Sequence, residues 1–224
     1  MNPDYPHALA ARRTKILPEA SGSLVAFEGT EGAGKSTQIG LASAALQGEG
    51  FEIVTTSEPG GTRLGGAIRH LLLHQRDAIP TALAELFLYL ADRAQHVSEV
   101  IRPALAAGRV VLTDRFSAST IAYQSYGRGL DLAAVTQADA WARQGVAPRL
   151  TILLDCPVHL GLQRARGDDR FHSEETPFHE RVRHGFHTLA AADTTRWSII
   201  DATQPAAAVH DQVMRTLRQH LPAS

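Results

Sequence analysis

The eight residues from Gly29 to Ser36 constrain the fold more than any other part of the chain. They read GTEGAGKS, the pattern G-x4-G-K-[ST], and they follow directly on an apolar run at residues 24–28. Glycines at such a turn let backbone N–H groups point inward at phosphate oxygens, and a helix that begins there adds its partially positive N-terminus. The pattern therefore predicts a strand, a phosphate-binding loop and a helix, in that order.

Apolar runs rich in β-branched residues recur along the chain, with helix-like segments between them. They lie at residues 24–28, 51–55, 110–113, 150–155 and 197–201. Strands that alternate with helices form parallel sheets covered by helices. The sequence therefore predicts an α/β fold of the P-loop NTPase class, with a five-stranded parallel sheet and helices on both faces.

Two helices can be predicted with their ends. The first covers residues 35–46, directly after the phosphate loop, and the second covers residues 81–107. Thr81 can cap the start of the second helix and Gly108 marks its end. Pro103 should kink or divide this long stretch, because proline lacks the N–H that a helix interior needs.

Two segments differ in composition from the rest of the chain. Residues 1–22 are polar and contain proline, which predicts a flexible N-terminal arm. Residues 164–177 read RARGDDRFHSEETP and are densely charged, which predicts a mobile LID flap between two helices. Neither segment marks a domain boundary, so residues 23–224 are interpreted as one domain.

Charge and cysteine content exclude several classes of protein. The formal net charge is −1 and the arginines are spread along the chain, so nucleic acid is not expected as a partner. No apolar run reaches the roughly 20 residues of a membrane span, so no membrane association is expected. Cys156 is the only cysteine and can form no internal disulfide, which favours a cytoplasmic location.

The phosphate loop predicts the binding of a nucleotide and a metal ion. Lys35 would place a full positive charge on the phosphates, and Ser36 would bind Mg²⁺ together with Asp114, at the end of the third strand. A guanine-reading Asn-Lys-x-Asp element is excluded, because no lysine follows Lys35. The predicted ATP-binding residues are Gly29, Thr30, Glu31, Gly32, Ala33, Gly34, Lys35, Ser36 and Thr37.

The third strand ends with Asp114 and Arg115, and the arginine indicates the kind of acceptor. Its planar guanidinium can hold phosphate oxygens by two parallel hydrogen bonds. A phosphate acceptor is already anionic, so transfer to it needs no general base. Catalysis can then depend on alignment and on charge neutralisation by Mg²⁺, Lys35 and arginines.

Several motifs together resemble the bacterial thymidylate kinase family. They are FEGTEGAGKST, SEPGGT, LADRAQH, DRFSASTIAYQ, GRGL and IDATQP, in this order. No single one is specific, but their order and spacing match over residues 24–220. The resemblance implies a homodimer that phosphorylates dTMP to dTDP with MgATP as the phosphate donor.

The resemblance also implies roles for residues of the acceptor site. Tyr89 would stack on thymine and Arg93 would hydrogen-bond the base, and Arg115 would clamp the acceptor phosphate. Core packing is the alternative for Tyr89, and a solvated helix charge is the alternative for Arg69, to which Arg63 and Arg76 are neighbours. The predicted dTMP-binding residues are Glu58, Arg69, Tyr89, Arg93, Arg115, Thr120, Tyr123 and Gln124.

The charges of the flap are assigned in the same way. Some family members carry a basic residue in the phosphate loop where this chain has Glu31, and in the branch without it the flap supplies the charge. Arg164, Arg166 and Arg170 are therefore predicted to be catalytic beside Lys35 and Arg115. His172 stands where the family often has a glutamate, whose role Glu174 or Glu175 could fill.

Two other functions remain open from the sequence. The acceptor could be a different nucleoside monophosphate or a deoxynucleoside, with the same chemistry. The chain could also be a nucleotide-dependent regulatory module that binds ATP and transfers nothing. Retention of Lys35, Ser36, Asp114 and Arg115 argues against the second alternative.

Overall fold

The computed structural model describes residues 22–75, 79–165, 171 and 174–222. The described residues form a five-stranded sheet in the order β2-β3-β1-β4-β5, and every neighbouring pair is parallel. This confirms the predicted sheet. The strands are β1 Ser23–Glu28, β2 Ile53–Ser57, β3 Val110–Asp114, β4 Leu150–Asp155 and β5 Trp197–Asp201.

The register of the central strands brings the functional segments to one edge. Phe27 of β1 pairs with Asp114 of β3, and Ser57 of β2 pairs with the same Asp114. The carboxyl ends of these three strands therefore lie side by side. In open parallel sheets, ligands bind in the crevice outside the carboxyl ends of the strands.

Helices connect and cover the strands. The α-helices are α1 Lys35–Gly48, α2 Arg63–Leu73, α3 Ala82–His96, α4 Arg102–Ala106, α5 Ser117–Thr120, α6 Leu132–Ala142, α7 Val158–Arg164, α8 Thr176–Ala192 and α9 Ala206–His220. Two π-helical segments, Val97–Ile101 and Ile121–Gly127, continue α3 and α5. The predicted helix at residues 35–46 corresponds to α1, which extends two residues further.

The long helical stretch predicted at residues 81–107 is present, but its division lies elsewhere. Thr81 caps α3, since its hydroxyl accepts a hydrogen bond from the N–H of Ala84 at 3.4 Å. The α-helical pattern changes at the π-helical segment Val97–Ile101, before Pro103 is reached. Pro103 then lies in the first turn of α4, where a missing N–H is tolerated.

Both faces of the sheet are packed with apolar side chains. On one face, Val25 and Phe27 pack with side chains of α1 and α9, including Leu46 and Val213. On the other face, Leu24, Ala26 and Val111 pack with the segment from Val97 to Ala104. The alternation along β1 places successive side chains on opposite faces, and it confirms helices on both sides of the sheet.

A third cluster of buried side chains lies beside the sheet. Phe178, Val182 and Phe186 of α8 pack there against Tyr123 and Phe171, together with side chains of α2. Among the helices of the described residues, none combines the length and the apolar character that crossing a bilayer requires. Of the predicted arm at residues 1–22 only Gly22 is described, and half of the predicted flap at residues 164–177, namely 166–170 and 172–173, also lies outside the described residues.

Candidate functional site

The loop from Gly29 to Ser36 lies between β1 and α1, as predicted. Gly32 has a φ of 67°, and a Cβ built on it would lie 1.9 Å from the carbonyl oxygen of Gly161 in α7. No side chain fits such a close approach of two backbones. Gly32 is therefore required by packing, independently of any role in phosphate binding.

Lys35 is buried at the start of α1 and its ammonium group reaches back over the loop. Its Nζ donates hydrogen bonds to the carbonyl oxygens of Gly29, at 3.1 Å, and Thr30, at 3.0 Å. Burial lowers the pKa of Lys35 to about 8, and the charge of Arg115 acts in the same direction. An anionic ligand beside this group would restore the charged form.

Ser36 and Asp114 lie in contact, although they are far apart in the sequence. The Ser36 hydroxyl donates a hydrogen bond to Oδ2 of Asp114 at 3.0 Å. Hydroxyl and carboxylate oxygens are ligands that Mg²⁺ prefers, and the ion keeps other positions for water and phosphate oxygens. The donor set therefore fits the predicted magnesium ion.

Arg115 follows β3 and turns its guanidinium toward the phosphate loop. Its Nη1 donates to the carbonyl oxygen of Gly29 at 3.2 Å and to Oγ of Ser119 at 3.0 Å, and its Nη2 donates to Oε1 of Glu31 at 3.2 Å. The guanidinium also lies 4.9 Å from the centre of the Tyr123 ring. Its φ of 71° is unusual for a residue with a side chain.

Glu31 accepts contacts from three directions inside the loop. Its Oε1 accepts a hydrogen bond from the Tyr123 hydroxyl at 2.5 Å, and its Oε2 lies 3.2 Å from Nδ1 of His179 in α8. Burial opposes ionisation, but His179, Arg115 and Lys35 together hold the pKa of Glu31 well below its usual value. The pKa of His179 is raised by Glu31 in spite of burial.

Arg93 is fully buried and is held by two carboxylates. Its Nε and Nη2 donate to Oε2 of Glu58, at 2.8 and 2.7 Å. Its Nη1 donates to Thr120 at 2.8 Å and to Asp139 at 2.6 Å. The other oxygen of Glu58 lies 2.8 Å from Nδ1 of His96. The guanidinium is therefore fixed in place before any ligand binds.

Other predicted acceptor residues have partners of their own. Arg69 donates to the carbonyl oxygen of Pro59 at 2.8 Å. Gln124 is buried and donates to Oε1 of Glu85 at 2.9 Å. Tyr89 packs at the edge of the cluster formed with α8 and also borders a cleft at the carboxyl edge of the sheet. Core packing and ligand contact are therefore compatible for Tyr89.

Two clefts open along the carboxyl edge of the sheet. The first, which we call the acceptor cleft, has a volume of about 600 Å³, and the second, the donor cleft, has about 880 Å³. Both are lined by Glu31, Lys35 and Ser36, so they meet at the phosphate loop. Two ligands bound in them would face each other across these three residues.

The predicted site residues separate between the two clefts. Glu58, Arg69, Tyr89, Arg93, Arg115, Thr120, Tyr123 and Gln124 all line the acceptor cleft, and Asp114 does so too. Residues 31–37 of the loop line the donor cleft, while Gly29 and Thr30 contribute the carbonyls that hold Lys35. The structure therefore brings the two predicted sets together as two adjoining sites.

Of the three flap arginines, the structure describes one. Arg164 ends α7 and borders the donor cleft, where its guanidinium donates to the carbonyl oxygens of Ala202 at 2.7 Å and Thr203 at 3.3 Å. Arg166 and Arg170 lie outside the described residues, as does His172. Glu174 is described, and its Oε1 lies 2.7 Å from Nη2 of Arg128.

Several residues of the site were not singled out from the sequence. Asp139 bonds Arg93, and His96 bonds Glu58, the other partner of Arg93. His179 contacts Glu31 of the phosphate loop, and Glu28 is buried directly before the loop. Burial raises the pKa of Glu28 to about 7, although Ser119 and Arg115 oppose the rise. For Glu28 the sequence offered one signal, a charged residue at the end of an apolar strand.

Comparison with known proteins identifies relatives of this chain. A family model described as thymidylate kinase matches residues 27–213. The chain is 53% identical over 191 residues to a thymidylate kinase of Desulfovibrio desulfuricans, covering 81% of this chain and 88% of that protein. It is 50% identical over 199 residues to one of Solidesulfovibrio magneticus, covering 84% of this chain and 95% of that protein.

A solved structure is similar to the whole fold. The crystal structure of thymidylate kinase from Ehrlichia chaffeensis superposes with a TM-score of 0.73 at 31% sequence identity, covering 88% of this chain and 98% of that one. The sequence match thus extends over most of the chain and the structural match covers nearly all of that neighbour. The chain belongs to the thymidylate kinase family.

Proposed function

We propose that this chain moves the γ-phosphoryl group of ATP directly onto the phosphate of dTMP, by in-line transfer between the two clefts. Phosphorylation of dTMP to dTDP, which supplies dTTP synthesis, is the activity of the family to which the chain belongs. The observation that carries the mechanism is the sharing of Glu31, Lys35 and Ser36 by both clefts. The phosphoryl group can then stay in contact with the phosphate loop while it moves from the donor to the acceptor.

The donor half of the mechanism depends on the loop and on Lys35. Backbone N–H groups at residues 29–36 and the N-terminus of α1 would hold the phosphates of ATP, and the Lys35 ammonium would offset charge on the moving group. Ser36 and Asp114 would hold Mg²⁺ close to it. The ion, when bound, would neutralise charge on the phosphate oxygens.

The acceptor half depends on Arg115. Its guanidinium lies within 3.2 Å of both the Gly29 carbonyl oxygen and the Glu31 carboxylate, so it stands at the junction of the two clefts. There it would hold the dTMP phosphate by charge-assisted hydrogen bonds. The attacking phosphate oxygen is anionic, so alignment and charge neutralisation supply the catalysis and no general base is needed.

The base and sugar would lie deeper in the acceptor cleft. We assign stacking on thymine to Tyr89 and hydrogen bonding of the base to Arg93, with Thr120 and Gln124 beside it. The Tyr123 ring, held by its hydroxyl on Glu31, would exclude a ribose 2′-hydroxyl. Fixed donors of this kind reject a wrong base, because its polar edge would leave them unpaired.

The flap assignments belong to the same proposal. Arg164 borders the donor cleft and could turn from the Ala202 carbonyl toward bound ATP. For Arg166 and Arg170 a catalytic role stays a prediction from the family resemblance. Closure of the flap at residues 164–177 would bring such charges in only when substrate is bound, and would exclude water.

We also propose a cytoplasmic homodimer, with residues 23–224 as one domain and residues 1–22 as an arm. Exposed apolar side chains on α2 and α3 support the dimer: Leu64 and Leu71 are 50% and 46% exposed, and Leu83 and Phe87 are 52% and 58% exposed. Contiguous apolar side chains exposed on a surface mark association sites. Cys156 is buried and is the only cysteine, so it forms no internal disulfide, which suits a reducing compartment.

The first experiment is an assay of ADP formation from ATP and Mg²⁺ with each nucleoside monophosphate and with deoxynucleosides in turn. We expect selective conversion of dTMP to dTDP, identified by chromatography. Turnover with a different acceptor would contradict the assignment of the base contacts to Tyr89 and Arg93. Binding of ATP without transfer to any acceptor would support the regulatory module instead.

A further inference from the structure

Glu28 is the last residue of β1 and directly precedes the phosphate loop. It is fully buried, and three hydrogen bonds converge on its carboxylate. Oε1 accepts from the backbone N–H of Phe116 at 2.9 Å and of Ser119 at 3.3 Å, and Oε2 accepts from the Ser119 hydroxyl at 2.6 Å. A buried carboxylate is costly unless it is bonded in this way.

Ser119 connects Glu28 to Arg115 through a second hydrogen bond. Its hydroxyl donates to Glu28, and the same oxygen accepts a hydrogen bond from Nη1 of Arg115 at 3.0 Å. The three groups therefore form a chain that runs from carboxylate to hydroxyl to guanidinium. A hydroxyl can act in both directions at once, because it carries one donor and two lone pairs.

This chain of hydrogen bonds joins the donor half and the acceptor half of the site. Gly29, the neighbour of Glu28, offers its carbonyl oxygen to Lys35 at 3.1 Å and to Arg115 at 3.2 Å. Glu28 also holds the backbone at Phe116, directly before α5, and at Ser119, within α5. Arg115, with its positive φ, precedes these two residues, and Thr120, which bonds Arg93, follows them. The strand that carries the loop thus holds the segment that carries the acceptor arginine.

We propose that Glu28 is a positioning residue that acts through the Ser119 hydroxyl to set the Arg115 guanidinium relative to the phosphate loop. It aligns the acceptor phosphate with the donor without touching either nucleotide. The inference rests on the proposed role of Arg115 as the clamp of the dTMP phosphate. Without the Ser119 hydroxyl, Arg115 keeps its charge but loses one of the contacts that orient it.

The test compares two serine-to-alanine variants of the same short helix. Ser119→Ala removes the link to Arg115 and leaves the Phe116 N–H bond to Glu28 in place. Ser117→Ala is the matched control, because the Ser117 hydroxyl finds no hydrogen-bond partner among the described residues. At pH 8, we expect Ser119→Ala to lower kcat/KM for dTMP about tenfold, the cost of one hydrogen bond to a charged group.

The KM for ATP separates positioning from a general loss of structure. We expect Ser119→Ala to leave it within about twofold of the starting value, because the donor cleft keeps its contacts. Equal dTMP kinetics for Ser119→Ala and Ser117→Ala, in an enzyme that turns over dTMP, would overturn the inference. Failure of the unmodified enzyme to turn over dTMP would instead contradict the proposed function.

Glu28→Gln gives a second, independent arm. The amide oxygen can still accept the backbone N–H bonds, but the amide nitrogen donates and no longer accepts from Ser119. If both residues act along one chain, the double variant loses little more dTMP efficiency than either single variant. Additive losses would show that Glu28 and Ser119 act separately, and would overturn the proposed chain even if Glu28→Gln alone is less stable.

Discussion

At the scale of single residues, Lys35 shows how burial prepares a charge for its ligand. The ammonium group is enclosed beside Arg115, and its pKa of about 8 lies below the usual 10.5. Without ligand near pH 8, about half of the molecules therefore carry a neutral Lys35. Phosphate oxygens that bind here favour the charged form, so the empty and occupied loops differ in proton content.

We predict that nucleotide binding takes up about half a proton at pH 8 through Lys35. The uptake is measured by calorimetry in two buffers of different ionisation enthalpy. Lys35→Arg is the control, because arginine keeps the charge and does not titrate in this range. Equal proton uptake by the two proteins would exclude Lys35 as its source.

Lys35→Ala, with its fold verified by circular dichroism, should lose phosphoryl transfer.

The residues of the phosphate loop could be predicted because they are contiguous in the sequence. The carboxylates that hold Arg93 could not be predicted in this way. Glu58 and Asp139 are 35 and 46 residues away from Arg93, and no spacing rule connects them. A sequence shows that an acid is present, but only the fold shows that it is buried against an arginine. The resemblance to a family supplied Arg93 and Glu58 as site residues, and it supplied nothing for Asp139 or His96.

At the scale of elements, Arg128 links the segment directly before α8 to α3 through two ion pairs. It follows the second π-helical segment and contacts Glu85 of α3 at 3.2 Å and Glu174 at 2.7 Å. Its guanidinium also lies 4.7 Å from the centre of the Phe178 ring. The planar fork can serve both carboxylates and the ring at once, which a lysine ammonium cannot do.

We predict that Arg128→Lys loosens the chain around Phe178 while leaving the sheet intact. Hydrogen exchange of peptides that cover residues 174–182 should become faster, because one ammonium group cannot replace the divided contact. Arg109→Lys is the control, since Arg109 pairs only with Glu52 among its described side-chain contacts and lies directly before β3, outside the measured segment. Unchanged exchange in Arg128→Lys would show that the apolar contacts alone hold this segment.

The elements themselves were predicted best where packing determines them. Strands β4 and β5 have the predicted bounds, because both are apolar runs that end at an aspartate. Strand β2 begins two residues later than predicted and ends at Ser57, since its register with β3 extends to Asp114. The π-helical segments could not be predicted, because such segments are rare and are too short to show a periodicity of their own.

At the scale of the whole molecule, α2 and α3 present apolar stripes to the solvent. Leu64 and Leu71 are seven residues apart on α2, and Leu83 and Phe87 are four apart on α3, so each pair lies on one face of its helix. The two helices pack against each other, with Leu72 and Leu86 turned inward and buried. In the proposed homodimer, we assign the contact between the two subunits to these outward stripes.

We predict that Phe87→Glu separates the dimer, because a charge would enter an apolar contact. Light scattering after gel filtration should give the 24.1 kDa of one chain for this variant and twice that mass for the unmodified protein. Ile199→Glu is the control: Ile199 is similarly exposed, at 50%, but lies on β5 at the other edge of the sheet. A monomeric unmodified protein, or a dimeric Phe87→Glu, would contradict the proposed contact surface.

The contact of Gly32 with Gly161 also limits how the gene can change. A Cβ at position 161 would lie 2.5 Å from the carbonyl oxygen of Glu31, just as one at position 32 would meet the backbone of α7. Each glycine is opposed by main chain, which no second substitution can shrink. Position 161 binds no nucleotide in the proposed mechanism, yet its codon is as restricted as one within the phosphate loop. Mutations there would be lost by selection although they are remote in the sequence from the motif they damage.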